Sequence, residues 1–102
     1  MSGEKRKGYS AGILPFTIRD NTVWYLLGRD WRDEGWSDFG GKAEDKDSNN
    51  IIKTAIREFY EETMGSVMSE QELIDILNCN NTKVVRSVTL NGSPYYMHFI
   101  FI

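Results

Sequence analysis

In four parts of this chain, apolar residues alternate with polar ones or run together, and turn residues bound each part. Such patterns, rich in β-branched and aromatic residues, are typical of strands. The expected strands are residues 9–16, 23–29, 83–90 and 95–102. Pro15 has no backbone N–H to donate, so we expect it near the end of its strand or at a sheet edge.

In the middle of the chain, apolar residues recur at spacings of three and four, which is the period of an amphipathic helix. The residues on one half of this helix are Ile51, Ile52, Ala55, Ile56, Phe59 and Tyr60. A shorter second helix is expected over residues 70–77, because Ser69 and Glu72 form a capping-box sequence at its start. Strands on both sides of the helices predict a mixed α/β domain.

Three glutamates, Glu58, Glu61 and Glu62, gather at one edge of the apolar half of the first helix. Like charges three and four residues apart repel one another, and the helix C-terminus also disfavours anions. A divalent cation that prefers oxygen ligands would relieve this repulsion. Arg57 lies four residues before Glu61 and could hold one carboxylate in place. The alternative is an ordinary solvated acidic face.

The residues before this helix favour the metal interpretation. A lead-in of Trp36, Phe39 and Gly40-Gly41-Lys42 precedes an acidic loop and then the helix sequence Arg57-Glu58-Phe59-Tyr60-Glu61-Glu62. This arrangement resembles the Nudix box, in which a glycine, a loop glutamate and an Arg-Glu-apolar-any-Glu-Glu helix follow one another. The close match covers roughly a quarter of the chain.

The chain departs from the Nudix pattern in the loop and at the helix exit. Counting from Gly41, the acidic loop position falls on Asp47, where the pattern has glutamate. Nine residues separate Asp47 from Arg57, where the pattern has seven. Glu44 could therefore act as the loop carboxylate instead. The closing glycine, Gly65, comes one residue late, where it can still adopt a left-handed cap.

The same loop also has a partial match to a calcium-binding EF-hand. Asp45, Asp47 and Asn49 occupy positions 1, 3 and 5 of such a loop. Asn50 stands where the loop needs glycine, and Ile56 where it needs a bidentate glutamate. These two mismatches disfavour a calcium loop.

The Nudix resemblance implies a mixed sheet with the catalytic helix on one face. It also implies hydrolysis of a diphosphate linkage in a nucleoside diphosphate joined to another group. By this resemblance, Glu58, Glu61 and Glu62 are the catalytic carboxylates and would hold Mg²⁺ or Mn²⁺, and Arg57 would orient one of them. Asp47 or Glu44 is a further candidate metal ligand. The candidate substrates are a nucleotide, a dinucleotide or a capped RNA end.

Several residues outside the helix are candidates for substrate contact. The basic candidates for the phosphates are Arg29, Arg32 and Lys42. Gly40 and Gly41 are expected to make a tight turn that brings backbone amides close to an anion. Trp31 could stack on a nucleobase or cover the rim of the core, and rim cover is favoured for Trp36.

Composition and charge fit one small globular domain. The chain has 102 residues and a net charge of −3, which argues against a nucleic-acid coat protein. One cysteine, Cys79, cannot form an internal disulfide, which favours a reducing, cytoplasmic compartment. No secretory signal or membrane-spanning run is present in the sequence, and we expect no membrane partner.

The sequence divides into a flexible basic arm, residues 1–8, and a Nudix-like domain, residues 9–102. Because the last predicted strand has no turn or cap after it, we expect the domain to be incomplete. An unfinished apolar edge strand would favour a homodimer or strand exchange. Two other function classes remain open, namely a catalytically inactive Nudix-like module that binds nucleotide, RNA or protein, and a small acidic interaction domain without metal.

Overall fold

A computed structural model describes residues 8–29, 35–79 and 82–102, with the backbone alone for Arg29. The strands in the first half are β1 (Ser10–Arg19), β2 (Thr22–Tyr25), β3 (Gly28–Arg29), β4 (Trp36–Ser37) and β5 (Phe39–Lys42). A one-turn 3-10 helix (Asp45–Asp47) then leads to the remaining elements, α1 (Ile51–Thr63), α2 (Glu70–Leu77), β6 (Lys83–Val88) and β7 (Pro94–Phe101).

The main sheet is mixed and is built around β1. The strand order is β2-β1-β7-β6, and β5 also pairs with β1. The pair β1 and β7 is parallel, whereas β1 pairs with both β2 and β5 in the antiparallel sense. With α1 packed against β1 and β5, this architecture confirms the predicted mixed fold.

Pro15 lies inside β1, so the prediction that it marks a strand end or a sheet edge is wrong. One edge of β1 pairs with β5 through residues 10–13 and with β2 through residues 16–19. Pro15 lies between these two pairings, and its carbonyl accepts from Leu26 N at 2.9 Å. The N–H and C=O of one strand residue point to the same side. The missing donor therefore faces the place where β1 changes partners.

The core lies between the sheet and the two helices. Its fully buried members include Ile13 on β1, Phe59 on α1 and Leu73 on α2. The Phe59 ring meets the Phe39 ring edge to face, with centroids 5.1 Å apart. Within the predicted apolar half of α1, Ala55, Ile56 and Phe59 are buried, whereas Tyr60 is 46% exposed.

Both helices begin with side-chain caps. Asn50 Oδ1 accepts hydrogen bonds from the amides of Ile52 and Lys53 at the start of α1. At the start of α2, Ser69 and Glu72 form the predicted capping box, with bonds of 3.1 and 2.9 Å. Neither helix in the described residues is long and apolar enough to cross a membrane.

The last strand, β7, is not an edge strand. It pairs with β1 on one side and with β6 on the other. The prediction of an unpaired C-terminal edge is therefore wrong, whereas a homodimer or strand exchange stays a prediction. The edge strands of the sheet in the described residues are β2, β5 and β6, and every residue of β2 and β6 is exposed.

A matched pair of leucines tests the placement of α2. Leu73 is fully buried, whereas Leu90 is fully exposed in the loop between β6 and β7. We expect Leu73→Ala to lower the free energy of unfolding by about 2–5 kcal/mol, because it removes buried methyl groups and leaves a cavity. Leu90→Ala should change it by less than about 0.5 kcal/mol. Urea unfolding followed by circular dichroism measures both, and equal losses would contradict the packing of α2.

Candidate active site

The guanidinium of Arg57, on α1, is the centre of the candidate site. Its Nε and Nη2 donate to the two carboxylate oxygens of Asp47 at 2.9 and 3.0 Å. Nη2 also donates to the Lys42 carbonyl at 3.0 Å. Nη1 donates to Glu58 at 3.1 Å and to Glu61 at 3.2 Å. Arg57 thus holds two glutamates of its own helix, and the contact predicted between Arg57 and Glu61 is confirmed.

Asp47 is committed to this arginine. Its carboxylate also accepts from Thr54 Oγ1 at 2.8 Å and from the Glu44 amide at 2.9 Å. Burial alone would raise the pKa of Asp47, but the hydrogen bonds from Arg57, Glu44 and Thr54 lower it to about 2. These bonds engage both oxygens, so Asp47 positions Arg57, and its role as a metal ligand stays a prediction.

The long loop still delivers Asp47 to Arg57. Ser48 and Asn49 both take left-handed backbone angles, with φ of 56° and 60°. Together they turn the chain from the 3-10 helix into α1, which accommodates the nine-residue spacing. Glu44, the other candidate loop carboxylate, has a half-exposed side chain, 3.5 Å from Arg57 Nη1.

Glu58 is the most enclosed of the three helix glutamates. A Cβ atom on Gly41 would lie 2.5 Å from the Glu58 carboxylate, so the carboxylate fills the space left by the absent side chain. Burial raises the pKa of Glu58, and Arg57 offsets part of this effect. Glu61 and Glu62 are exposed.

The donor chemistry of these glutamates fits a hard divalent cation, because all three offer carboxylate oxygens from adjacent positions on one helix. Their side chains are not gathered into a ready coordination group. Across residues 8–29, 35–79 and 82–102, no three acidic, histidine or cysteine side chains converge as metal ligands would. Cation binding by these glutamates therefore stays a prediction.

Gly40 and Gly41 lie inside β5, so the prediction of a tight turn at this pair is wrong. Neither has a positive φ. Both are needed for close approach instead, since a Cβ on Gly40 would collide with the Tyr95 hydroxyl and one on Gly41 with Glu58. Lys42 follows with an exposed side chain, and its carbonyl is held by Arg57.

Three predicted substrate contacts have side chains that the structure does not describe. Trp31 and Arg32 lie outside the described residues, as does the basic arm except Gly8, and only the backbone of Arg29 is described. Trp36 is 63% exposed on the short strand β4, so its predicted role in covering the core rim is wrong. It belongs to the two-stranded sheet that β3 and β4 form beside the main sheet.

A cleft of about 640 Å³ lies beside the arginine cluster, within the size range of small-molecule sites. Arg57 and Glu61 line it, together with Lys46 and Lys53. Glu58 and Glu62 do not line it. The cleft therefore adjoins the carboxylate edge of α1 rather than containing it.

Sequence reasoning missed a pair of polar residues next to the carboxylates. Tyr95 Oη donates to Asp38 Oδ2 at 2.8 Å. Burial raises the Tyr95 pKa, as do the negative charges of Asp38, Glu62 and Glu58. No local pattern could reveal the pair, because 57 positions separate its members.

Comparisons with known proteins support the fold. The Ap4A hydrolase of C. elegans superposes with a TM-score of 0.53 at 18% identity, covering 91% of this chain and 64% of that chain. A binary complex of a C. elegans Ap4A hydrolase gives a TM-score of 0.52 at the same identity, covering 91% and 63%. The fold is Nudix-like. At this identity the similarity establishes the fold alone.

Sequence comparison adds one partial relative. The uncharacterized protein L534 of Acanthamoeba polyphaga mimivirus is 41% identical over 59 residues, covering 53% of this chain and 19% of that protein. No protein-family model matches the chain. The chain spans less than two thirds of the C. elegans hydrolase and about a fifth of the viral protein.

Asp47 should make the folded state sensitive to acid. Its folded pKa of about 2 lies below the ordinary value of 3.8, so its contribution is present above about pH 4 and is lost as the pH falls through 2. We expect protonation of Asp47, as the pH falls from about 4 to about 2, to lower the free energy of unfolding by roughly 2 kcal/mol. Asp47→Asn should remove this part of the slope in urea unfolding.

The matched control for this measurement is Asp20→Asn, in the exposed turn between β1 and β2. Asparagine tolerates the left-handed backbone of that position, so the control should keep the slope of the original protein. If Asp47→Asn keeps that slope as well, the ion pair with Arg57 does not set the acid sensitivity.

Proposed function

We propose that this chain carries the catalytic centre of a Mg²⁺- or Mn²⁺-dependent hydrolase. Its reaction would be cleavage of a diphosphate linkage in a nucleoside diphosphate joined to another group. The observation that carries the proposal is the arginine cluster, in which Arg57 holds Glu58 and Glu61 while Asp47 fixes Arg57. A solvated acidic face has no need for a buried ion pair that orients two of its members.

The proposed catalytic roles belong to residues of α1. Glu58, Glu61 and Glu62 would hold the cation, and Arg57 would keep the first two aimed along the edge of α1. When bound, the cation would neutralise the diphosphate and lower the pKa of an attacking water. One helix glutamate or a residue outside the helix would take the proton from that water.

Substrate contacts belong to residues around β5 and the preceding loop. Lys42 has an exposed side chain beside the arginine cluster, suited to a phosphate oxygen. Arg29 and Arg32 are the other basic candidates, and Trp31 is the candidate for stacking on a nucleobase. Gly40 and Gly41 would shape the strand next to Glu58. A nucleotide, a dinucleotide or a capped RNA end fits this chemistry.

One observation favours a second candidate, a Nudix-like module that binds a nucleotide, RNA or protein without turnover. The three helix carboxylates do not converge in the part of the chain that the structure describes, and Glu58 is paired with Arg57. A protein with this fold that does not bind the cation could still bind a nucleotide, RNA or protein on the same surface. Turnover and cation binding must therefore be measured separately.

Turnover is tested by mass spectrometry of products after incubation with Mg²⁺ and a mixed panel of diphosphate compounds. We expect cleavage by the original protein, and a loss of about 100-fold or more in Glu61→Gln, because a lost ligand should cost at least as much as a lost outer partner. Asp75→Asn, an exposed carboxylate on α2, is the control and should retain activity. If the original protein cleaves nothing, or if Glu61→Gln cleaves equally well, the proposal that Glu61 serves a diphosphate hydrolase is contradicted.

Cation binding is tested by thermal unfolding with increasing Mn²⁺. A cation that binds only the folded state at 100 times its Kd stabilises it by about 2.7 kcal/mol. We expect this stabilisation in the original protein and in Asp20→Asn, and its loss in the double variant Glu58→Gln/Glu61→Gln. A protein that shows no such stabilisation would be an acidic interaction domain without metal.

A further inference from the structure

A hydrogen bond between Tyr95 and Asp38 links β7 to the start of β5 across β1, on the face of the sheet opposite to α1. Tyr95 is the second residue of β7, and Asp38 directly precedes β5. Both strands pair with β1, on its two opposite edges. The Tyr95 side chain therefore crosses β1 to reach Asp38, with Oη 2.8 Å from Oδ2.

Two glycines make this crossing possible. Gly12 of β1 and Gly40 of β5 are cross-strand partners. A Cβ on Gly12 would lie 2.6 Å from Tyr95 Oη and 2.5 Å from Asp38 Oδ2, and a Cβ on Gly40 would also collide with Oη. The hydroxyl and the carboxylate thus occupy the space that two absent side chains leave open.

The other face of β5 holds Glu58. Consecutive residues of a strand face opposite sides, so Gly41 opens toward α1 while Gly40 opens toward Tyr95. The Glu58 carboxylate fills the space at Gly41. One strand, β5, is therefore held between the Tyr95 hydroxyl on one face and a proposed cation ligand on the other.

We propose that Tyr95 and Asp38 are positioning residues, which hold β5 at the depth that places the Glu58 carboxylate for cation binding. This inference rests on the proposed function, because it assigns Glu58 to the cation. Without the hydrogen bond, the pairing of β5 with β1 and the bond from Arg57 to the Lys42 carbonyl remain, but β5 loses its link across β1 to β7. The strand surface against which Glu58 lies is then less firmly fixed.

The charges around the pair keep Tyr95 a donor. Burial and the carboxylates of Asp38, Glu62 and Glu58 all raise the pKa of the hydroxyl, so it stays protonated at any physiological pH. Burial also raises the pKa of Asp38, and the bond from Tyr95 counters this rise.

The test compares Tyr95→Phe, which removes one oxygen atom, with Tyr96→Phe on the same strand. The Tyr96 hydroxyl accepts a hydrogen bond from the exposed Arg86 at 3.4 Å, so Tyr96→Phe also removes one oxygen atom from β7 and is the matched control. Asp38→Asn keeps an acceptor oxygen and should rescue the bond. Asp38→Ala removes it by a second route, which keeps the test decisive should Tyr95→Phe fail to fold.

Three readouts are needed, namely amide hydrogen exchange of the metal-free protein, Mn²⁺ affinity by calorimetry, and the separate values of kcat and KM. In Tyr95→Phe we expect amides of β5 to exchange about tenfold faster, while those of β2 are unchanged. Mn²⁺ affinity and kcat should each fall about tenfold, the lower end of the range for outer partners, with KM within about twofold. The double variant Tyr95→Phe/Asp38→Ala should be no worse than either single variant.

Each other outcome overturns the inference in a recognisable way. Faster exchange in β5 with unchanged Mn²⁺ affinity and kcat would make the bond purely structural. A rise in KM alone would assign the pair to substrate contact. If the original protein binds Mn²⁺ but cleaves nothing, the proposed enzyme fails while Mn²⁺ affinity still decides the role of the pair. If it neither binds nor cleaves, both fail together.

Discussion

The ion pair between Arg57 and Asp47 fixes three separate parts of the chain relative to one another. Asp47 belongs to the loop, Arg57 to α1, and the Lys42 carbonyl, which the same guanidinium holds, to β5. The side chains of Arg57 and Asp47 are only 12% and 3% exposed, so removing either partner would leave a buried charge poorly compensated and would be strongly destabilising. Taking two charges out of water is costly, and the geometry must be well satisfied to offset that cost. Here every oxygen of Asp47 and every nitrogen of Arg57 has a partner.

This constraint determines how the acidic edge of α1 is presented. The Nη1 atom of Arg57 donates to both Glu58 and Glu61, so the two carboxylates share the positive charge of one guanidinium group. Glu58 is also enclosed by β5, because its carboxylate lies against Gly41, whereas Glu61 is exposed and lines the neighbouring cleft. One glutamate is thus restrained on several sides and the other can adjust. That difference suits the role proposed for these glutamates as cation ligands, in which one carboxylate is fixed and another can adjust.

The local elements were predictable because short-range chemistry decides them. The capping box at Ser69, the apolar half of α1 and the pairing of Arg57 with Glu61 all depend on residues within one or two helical turns. The errors concern contacts that join distant segments. Pro15 is tolerated inside β1 because two other strands meet at that point, and the Gly40-Gly41 pair serves close packing rather than a turn. Both glycine roles suit the same residue type, so only the placement of Tyr95 and Glu58 distinguishes them.

The parallel pairing of β1 with β7 has a consequence for how the molecule assembles. His98 of β7 bonds the Gly12 carbonyl across 86 positions, whereas the helix, its arginine and the loop aspartate lie within about a dozen residues of one another. Closing a long loop costs entropy that its contacts recover only afterwards, so such pairings form slowly. The arginine cluster can therefore organise early, from local contacts. The hydrogen bond between Tyr95 and Asp38 can form only after β7 has paired with β1. The contacts on the two faces of β5 are therefore complete only at the end of folding, when the first and last strands have met.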